Sequence, residues 1–173
     1  GGVSWNTMAD HLYLASQSPR RAQLLGQLGL RHTLLLARDD EDAEALEAVH
    51  PGEPPDDYVL RVTLAKLDAA VQRRRARELP AAPILCADTT VARGPQILGK
   101  PADAAEAAQM LRALSGQTHR VLTAVAVVDE ALMVGPLHAV SVSTVRFKDL
   151  SDAEIQAYVA SGEPMGKAGA YAI

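Results

Sequence analysis

The run Pro83-Ile84-Leu85-Cys86-Ala87-Asp88-Thr89-Thr90-Val91 constrains this chain more than any other stretch. Its continuous apolar character reads as a buried central strand, and a buried strand rarely carries an uncompensated aspartate. Asp88 therefore needs a partner. Backbone N–H groups of a tight turn would satisfy it structurally; a metal ion or an activated water would do so functionally. Arg93-Gly94-Pro95-Gln96 then turns the strand into Ile97-Leu98, a hairpin that returns Gly99-Lys100-Pro101 toward its start. Between glycine and proline, Lys100 stands on stiff backbone that suits a positioned cation.

A second organising stretch is Leu12-Tyr13-Leu14-Ala15-Ser16-Gln17-Ser18-Pro19-Arg20-Arg21, an apolar strand followed directly by a helix start. Ser18 is placed to cap, Pro19 fits the first helical position and Gly29 can end the helix. Leu24, Leu25 and Leu28 are expected to form one apolar stripe. Arg20 and Arg21 in the first turn are opposed by the helix dipole. Either they hold an anion together with the N–H groups and serine hydroxyls, or they are two surface arginines that follow a proline.

Thr33 to Ala37 suits a second strand, which empties into Arg38-Asp39-Asp40-Glu41-Asp42-Ala43-Glu44. Such an acidic run is a solvated loop or, at a strand end, a place to hold a divalent metal. A proline-rich crossover leads to a long helix, capped by Asp56 or Asp57 and running to about Glu78. Leu60, Leu64, Leu67 and Val71 are its expected apolar stripe, and Arg73-Arg74-Arg75 its solvated end. Lys66 lies instead on the row of Val59, Val62 and Ala69, so its stem snorkels over apolar surface or its ammonium enters a cleft. Asp103 with Glu106, and Ser151 with Glu154, open two further helices. Between them lie two β-rich segments, His119 to Asp129 and Leu137 to Phe147, the second alternating as a half-exposed strand would. His119 is expected at a strand edge, with no second histidine at metal spacing.

Composition narrows the function. The 173 residues suit a single domain with a full core, or two lobes sharing a cleft. A net charge of -4 and 3% aromatic residues argue against binding polymeric nucleic acid. A few converging cations would still bind a small anion. No apolar run is long enough to span a bilayer, and the lone Cys86 permits no disulfide within the chain, so a cytoplasmic setting is expected. Residues 1–11 are set aside as a leader, and 12–173 are taken as one catalytic domain. Arg20, Arg21, Lys66, Lys100 and Lys167 as cations, with Glu41 and Asp88 as carboxylates, are what cleavage within a polyphosphate requires: charge neutralisation, a positioned metal and a base. No GxxxxGK[ST] or GxGxxG sequence is present, which removes the support for P-loop or Rossmann chemistry.

Leu14-Ala15-Ser16-Gln17-Ser18-Pro19-Arg20-Arg21, Ala87-Asp88-Thr89, Leu98-Gly99-Lys100-Pro101, Leu114-Ser115-Gly116-Gln117-Thr118-His119, and Ser161-Gly162-Glu163-Pro164 with Lys167-Ala168-Gly169-Ala170-Tyr171 together resemble the Maf family of nucleoside triphosphate pyrophosphatases. The match is collinear from Leu12 to Ile173. The resemblance implies a mixed α/β fold with two lobes around a cleft, similar to the inosine triphosphatase superfamily, a divalent cation (Mg²⁺ or Mn²⁺) and a homodimer. It implies hydrolysis between the α and β phosphates. By the same resemblance, Asp88 is the catalytic acid, as general base or metal holder, and Glu41 stands beside the metal. Ser16, Arg20, Arg21, Lys66, Thr89, Lys100 and Lys167 line the substrate. Arg20 and Thr89 match the dTTP- and UTP-cleaving type, where the 7-methyl-GTP type tends to carry tryptophan and glutamine. A third specificity position, a glutamine, is expected beyond Ile173. The reading from a different class is a nucleotide-sensing or septum-related interaction protein without catalysis.

Overall fold

The computed structural model describes residues 11–38, 41 and 43–172. The expected leader therefore lies outside the described residues except for His11, with which strand β1 begins. The fold is mixed α/β. Among the described residues, six strands form one sheet: β1 (His11–Leu14), β2 (Arg31–Leu34), β3 (Ile84–Arg93), β4 (Gln96–Leu98), β5 (Thr118–Asp129) and β6 (Val134–Arg146). Their order is β2-β1-β3-β5-β6, with β4 paired to β3 off that path. β1 runs parallel to both β2 and β3, while β3 and β4 are antiparallel with Val91 opposite Leu98 and Arg93 opposite Gln96. The hairpin read from Arg93-Gly94-Pro95-Gln96 is thus present, and the sheet is mixed.

The described residues also form four α-helices: α1 (Pro19–Gln27), α2 (Pro55–Ala76), α3 (Ala104–Leu114) and α4 (Asp152–Ala160). Their ends follow local chemistry. Ser18 accepts from Arg21 N at α1, Asp103 from Glu106 N at α3, and Ser151 with Glu154 forms a reciprocal capping box at α4. Gly29 takes φ +75° just past α1, a conformation that disfavours a side chain. α2 starts at Pro55 with Asp56 and Asp57 in its first turn and ends with three arginines, so both ends complement the helix dipole.

The chain divides into two compact units. Of the described residues, the first comprises those within 11–51, 60–88 and 124–139. Its core gathers Tyr13, Leu35, Leu67, Ala70, Ile84, Cys86 and Ala126. Leu35 and Ile84 are fully buried, which contributes about 1.5–3 kcal/mol each. Of the expected α1 stripe only Leu25 is buried; Leu24 and Leu28 are 49% and 73% exposed. On α2 the best-buried row is Val59, Val62, Thr63, Leu67 and Ala70, so the helix is rotated from the predicted Leu60–Val71 stripe. The arginine run is not simply solvated either. Arg73, only 9% exposed, donates to Leu35 O and Glu41, and Arg74 donates to Leu79 O and Glu130, while Arg75 alone stays largely exposed.

The second unit comprises residues 52–59, 89–123 and 140–172 of those described. One cluster joins α3 and α4 through Ala107, Leu111 and Ile155; another joins Val91, Leu98, Leu114 and Val121. His119 belongs to this core rather than to a strand edge. It is 2% exposed, bonds Tyr171 Oη through Nε2 at 2.6 Å and meets Phe147 edge-on. β6 also departs from expectation: instead of alternating, every residue from Val134 to Thr144 is exposed. Among the described residues, β6 is the last strand in the sheet order.

Candidate active site

β1 ends at Leu14, and the connection Ala15-Ser16-Gln17-Ser18 is held against β3 by Ala15 N donating to Leu85 O at 2.9 Å. That anchor sets Ser16 and the start of α1 beside the strand that carries Asp88. Ser16 is 9% exposed, and its hydroxyl accepts from Arg21 Nη1 at 2.9 Å and from Ser18 N at 3.4 Å. The guanidinium therefore folds back from the first turn of α1 to the loop, where a helix dipole alone would repel it. Burial works to lower the Arg21 pKa, and the nearby Asp88 carboxylate opposes this. Arg20 points to the exposed side of the same turn.

Lys66 gives Asp88 a partner that neither reading of the strand named. Its Nζ donates to Asp88 Oδ2 at 2.8 Å and to Glu47 Oε1 at 2.7 Å. Burial disfavours the ammonium, but Asp88 and then Glu47 outweigh that cost and raise its pKa above the ordinary value. A lysine so placed stays charged at neutral pH. Cys86, two residues before Asp88 on β3, is buried and its thiol is pushed up to about 11, chiefly by burial. It packs as a small hydrophobe and is no nucleophile at neutral pH.

Glu41 is placed differently from Asp88. Its carboxylate accepts from Arg73 Nε at 2.8 Å and from Arg77 Nη2 at 3.4 Å. Burial opposes ionisation of Glu41, yet the two arginines prevail and lower its pKa. The carboxylate that shares a cation with Asp88 is Glu47, on the short 3₁₀ turn Glu44–Glu47. Sequence reasoning missed it. In an acidic stretch nothing marks one glutamate from another; only the fold of the turn onto α2 does.

In the second unit, Thr89 is half-buried and its hydroxyl lies 3.1 Å from that of Thr123. Gly169 N donates to Gly99 O at 3.2 Å, so the residues next to Lys100 and Lys167 lie on bonded segments. Gly169 has φ +68°, and a Cβ there would meet Val91 at 3.0 Å. This close approach needs glycine. Lys167 Nζ donates to Glu163 O. The structure thus brings Ser16, Arg21, Lys66 and Asp88 into one polar set in the first unit, and sets Lys100 beside the Lys167 segment in the second.

Among the described residues, no group of three or more His, Cys, Asp or Glu side chains could hold a metal ion, and no helix is long and apolar enough to cross a membrane. The family described as Maf-like protein matches residues 11–173. A dTTP/UTP pyrophosphatase from Cupriavidus pinatubonensis is 63% identical over 166 residues, covering 96% of this chain and 82% of that protein. One from Ralstonia nicotianae is 65% identical over 163 residues, covering 94% and 78%. Among solved structures, a HAM1 protein from Coxiella burnetii is similar with a TM-score of 0.49 at 17% identity, covering 79% of this chain and 72% of that one.

Proposed function

The chain belongs to the Maf-like protein family, and we propose that it is a nucleoside triphosphate pyrophosphatase that hydrolyses dTTP and UTP to the nucleoside monophosphate and pyrophosphate, as nucleotide-pool housekeeping. The observation that carries the reading is the Asp88 carboxylate, held on β3 at 2.8 Å from the Lys66 ammonium and within the field of Arg21. A base for water beside cations for phosphate is the minimum that this hydrolysis needs.

In this reading a water gives its proton to Asp88 as its oxygen attacks phosphorus, the α–β bridge breaks, and pyrophosphate leaves with the bridging oxygen. Lys66 and Arg21 offset charge that builds on the phosphate oxygens, and Lys100 and Lys167 bind the phosphate chain. Ser16 orients Arg21. Arg20 and Thr89 read the base. The support for dTTP and UTP is the activity named for the relatives at 63% and 65% identity.

The reading includes a divalent cation, Mg²⁺ or Mn²⁺. Hard carboxylate oxygens fit it, and Mg²⁺ commonly uses one or two carboxylates with substrate phosphates completing its shell. Asp88 would hold it; Glu41 would join only after releasing Arg73 and Arg77. When bound, the ion supplies charge neutralisation and acidifies a water. A cytoplasmic homodimer completes the proposal, supported by the single buried cysteine and by exposed Leu137, Val140 and Val142 on β6.

The test is pyrophosphate release from a panel of triphosphates with and without Mg²⁺. Release from dTTP and UTP that depends on the cation is expected. No release from any nucleotide would overturn the enzyme reading in favour of nucleotide sensing.

A further inference from the structure

We propose that Glu47 is a positioning residue that acts through Lys66. The proposal rests on the reading above, in which Lys66 serves the phosphates beside Asp88. A lysine ammonium on a four-carbon stem has many rotamers, and one carboxylate partner fixes it poorly. Here two carboxylates grip the same Nζ, Glu47 Oε1 at 2.7 Å and Asp88 Oδ2 at 2.8 Å. Together they set the direction of the ammonium. Neither partner is loosely exposed, with side chains at 22% for Lys66 and 25% for both acids.

The turn that carries Glu47 is itself tied to the helix that carries Lys66. Arg61 of α2 donates to Ala48 O at 2.7 Å, one residue past Glu47. The 3₁₀ turn and α2 are thus joined by a backbone-directed bond and an ion pair. When phosphate oxygens compete with Asp88 for the ammonium, Glu47 keeps the side chain from swinging away. Its contribution appears where placement of charge matters most, in turnover more than in substrate affinity.

The test measures kcat and KM for dTTP in the full protein and in Glu47→Ala, Glu47→Asp, Lys66→Ala and the double variant Glu47→Ala with Lys66→Ala. Glu47→Ala is expected to lower kcat roughly tenfold with KM within about twofold. Glu47→Asp restores most of the rate because the anion is kept. Residues acting through one another are non-additive, so adding Glu47→Ala to Lys66→Ala should change kcat by less than about twofold. A tenfold loss that recurs in the Lys66→Ala background, or no loss from Glu47→Ala alone, overturns the proposal while leaving the function intact. Full activity in Lys66→Ala overturns the proposal together with the role given to Lys66, and the reaction itself stands. Should Glu47→Ala fail to fold, Glu47→Gln, which keeps size and loses charge, is judged by the same criteria.

Discussion

Lys66 of α2 donates to Asp88 of β3 across 2.8 Å, an ion pair in which both side chains are about three-quarters covered. The aspartate foreseen as a buried anomaly is therefore compensated by a cation that the sequence places on an apolar helix row. Asp88→Asn should keep the fold, because Lys66 retains Glu47 as partner, yet lose turnover by roughly 10²-fold or more. Steady-state kinetics beside a thermal melt check this. Near-normal turnover would remove Asp88 from the chemistry.

Ser16 fixes the Arg21 guanidinium through one hydrogen bond of 2.9 Å. Such a bond is worth about 0.5–1.5 kcal/mol net. Ser16→Ala should therefore raise KM for dTTP by roughly two- to tenfold, with kcat less affected. Unchanged KM would mean that Arg21 is placed by other contacts.

In the proposed function Arg20 and Thr89 read the base. The guanidinium offers a fork of donors to carbonyl or phosphate oxygens, which tryptophan cannot. We expect dTTP and UTP to be cleaved in preference to 7-methyl-GTP, and Arg20→Trp with Thr89→Gln to narrow that preference. The readout is the ratio of kcat/KM values. A wild-type protein that turns over 7-methyl-GTP best would refute the assignment of these two residues, not the reaction.

Arg73 is structural. It is 9% exposed and satisfies both Glu41 and the carbonyl of fully buried Leu35. Leaving such a carbonyl unpaired costs about 1–3 kcal/mol, so Arg73→Ala should lower the melting temperature by several degrees. Arg75→Ala, at a side chain 56% exposed, should shift it little. Equal shifts would show that burial of the first guanidinium does not matter.

His119 should give the stability a pH dependence. Burial lowers its pKa from the ordinary value, and its Nδ1 is buried without a hydrogen-bond partner among the described residues. The unfolded chain protonates near pH ~6.5 while the folded one resists, so below that point the unfolded state binds more protons. The stabilisation is full above ~6.5 and is lost as pH falls through the lowered folded value. His119→Gln should flatten urea-derived stability between pH 7 and 5 relative to the wild type. Parallel slopes in the two proteins would contradict this.

Local chemistry alone decided much of this protein. Ser18, Asp103 and Ser151 announced their helices because a cap is satisfied within three residues, and Arg93-Gly94-Pro95-Gln96 announced its hairpin for the same reason. The apolar run around Asp88 was legible as β3 because continuous hydrophobicity over that length has few other uses. What only tertiary structure decided is which face and which partner. α2 turned its Val59–Ala70 row inward because the packing surface, not the count of leucines, sets the buried face. His119 went into the core, where Tyr171, 52 residues away in sequence, meets its Nε2. Glu41 and Glu47 look alike in an acidic stretch, yet one pairs with Arg73 and the other with Lys66, since ion pairs depend on distances across the fold that no local pattern records.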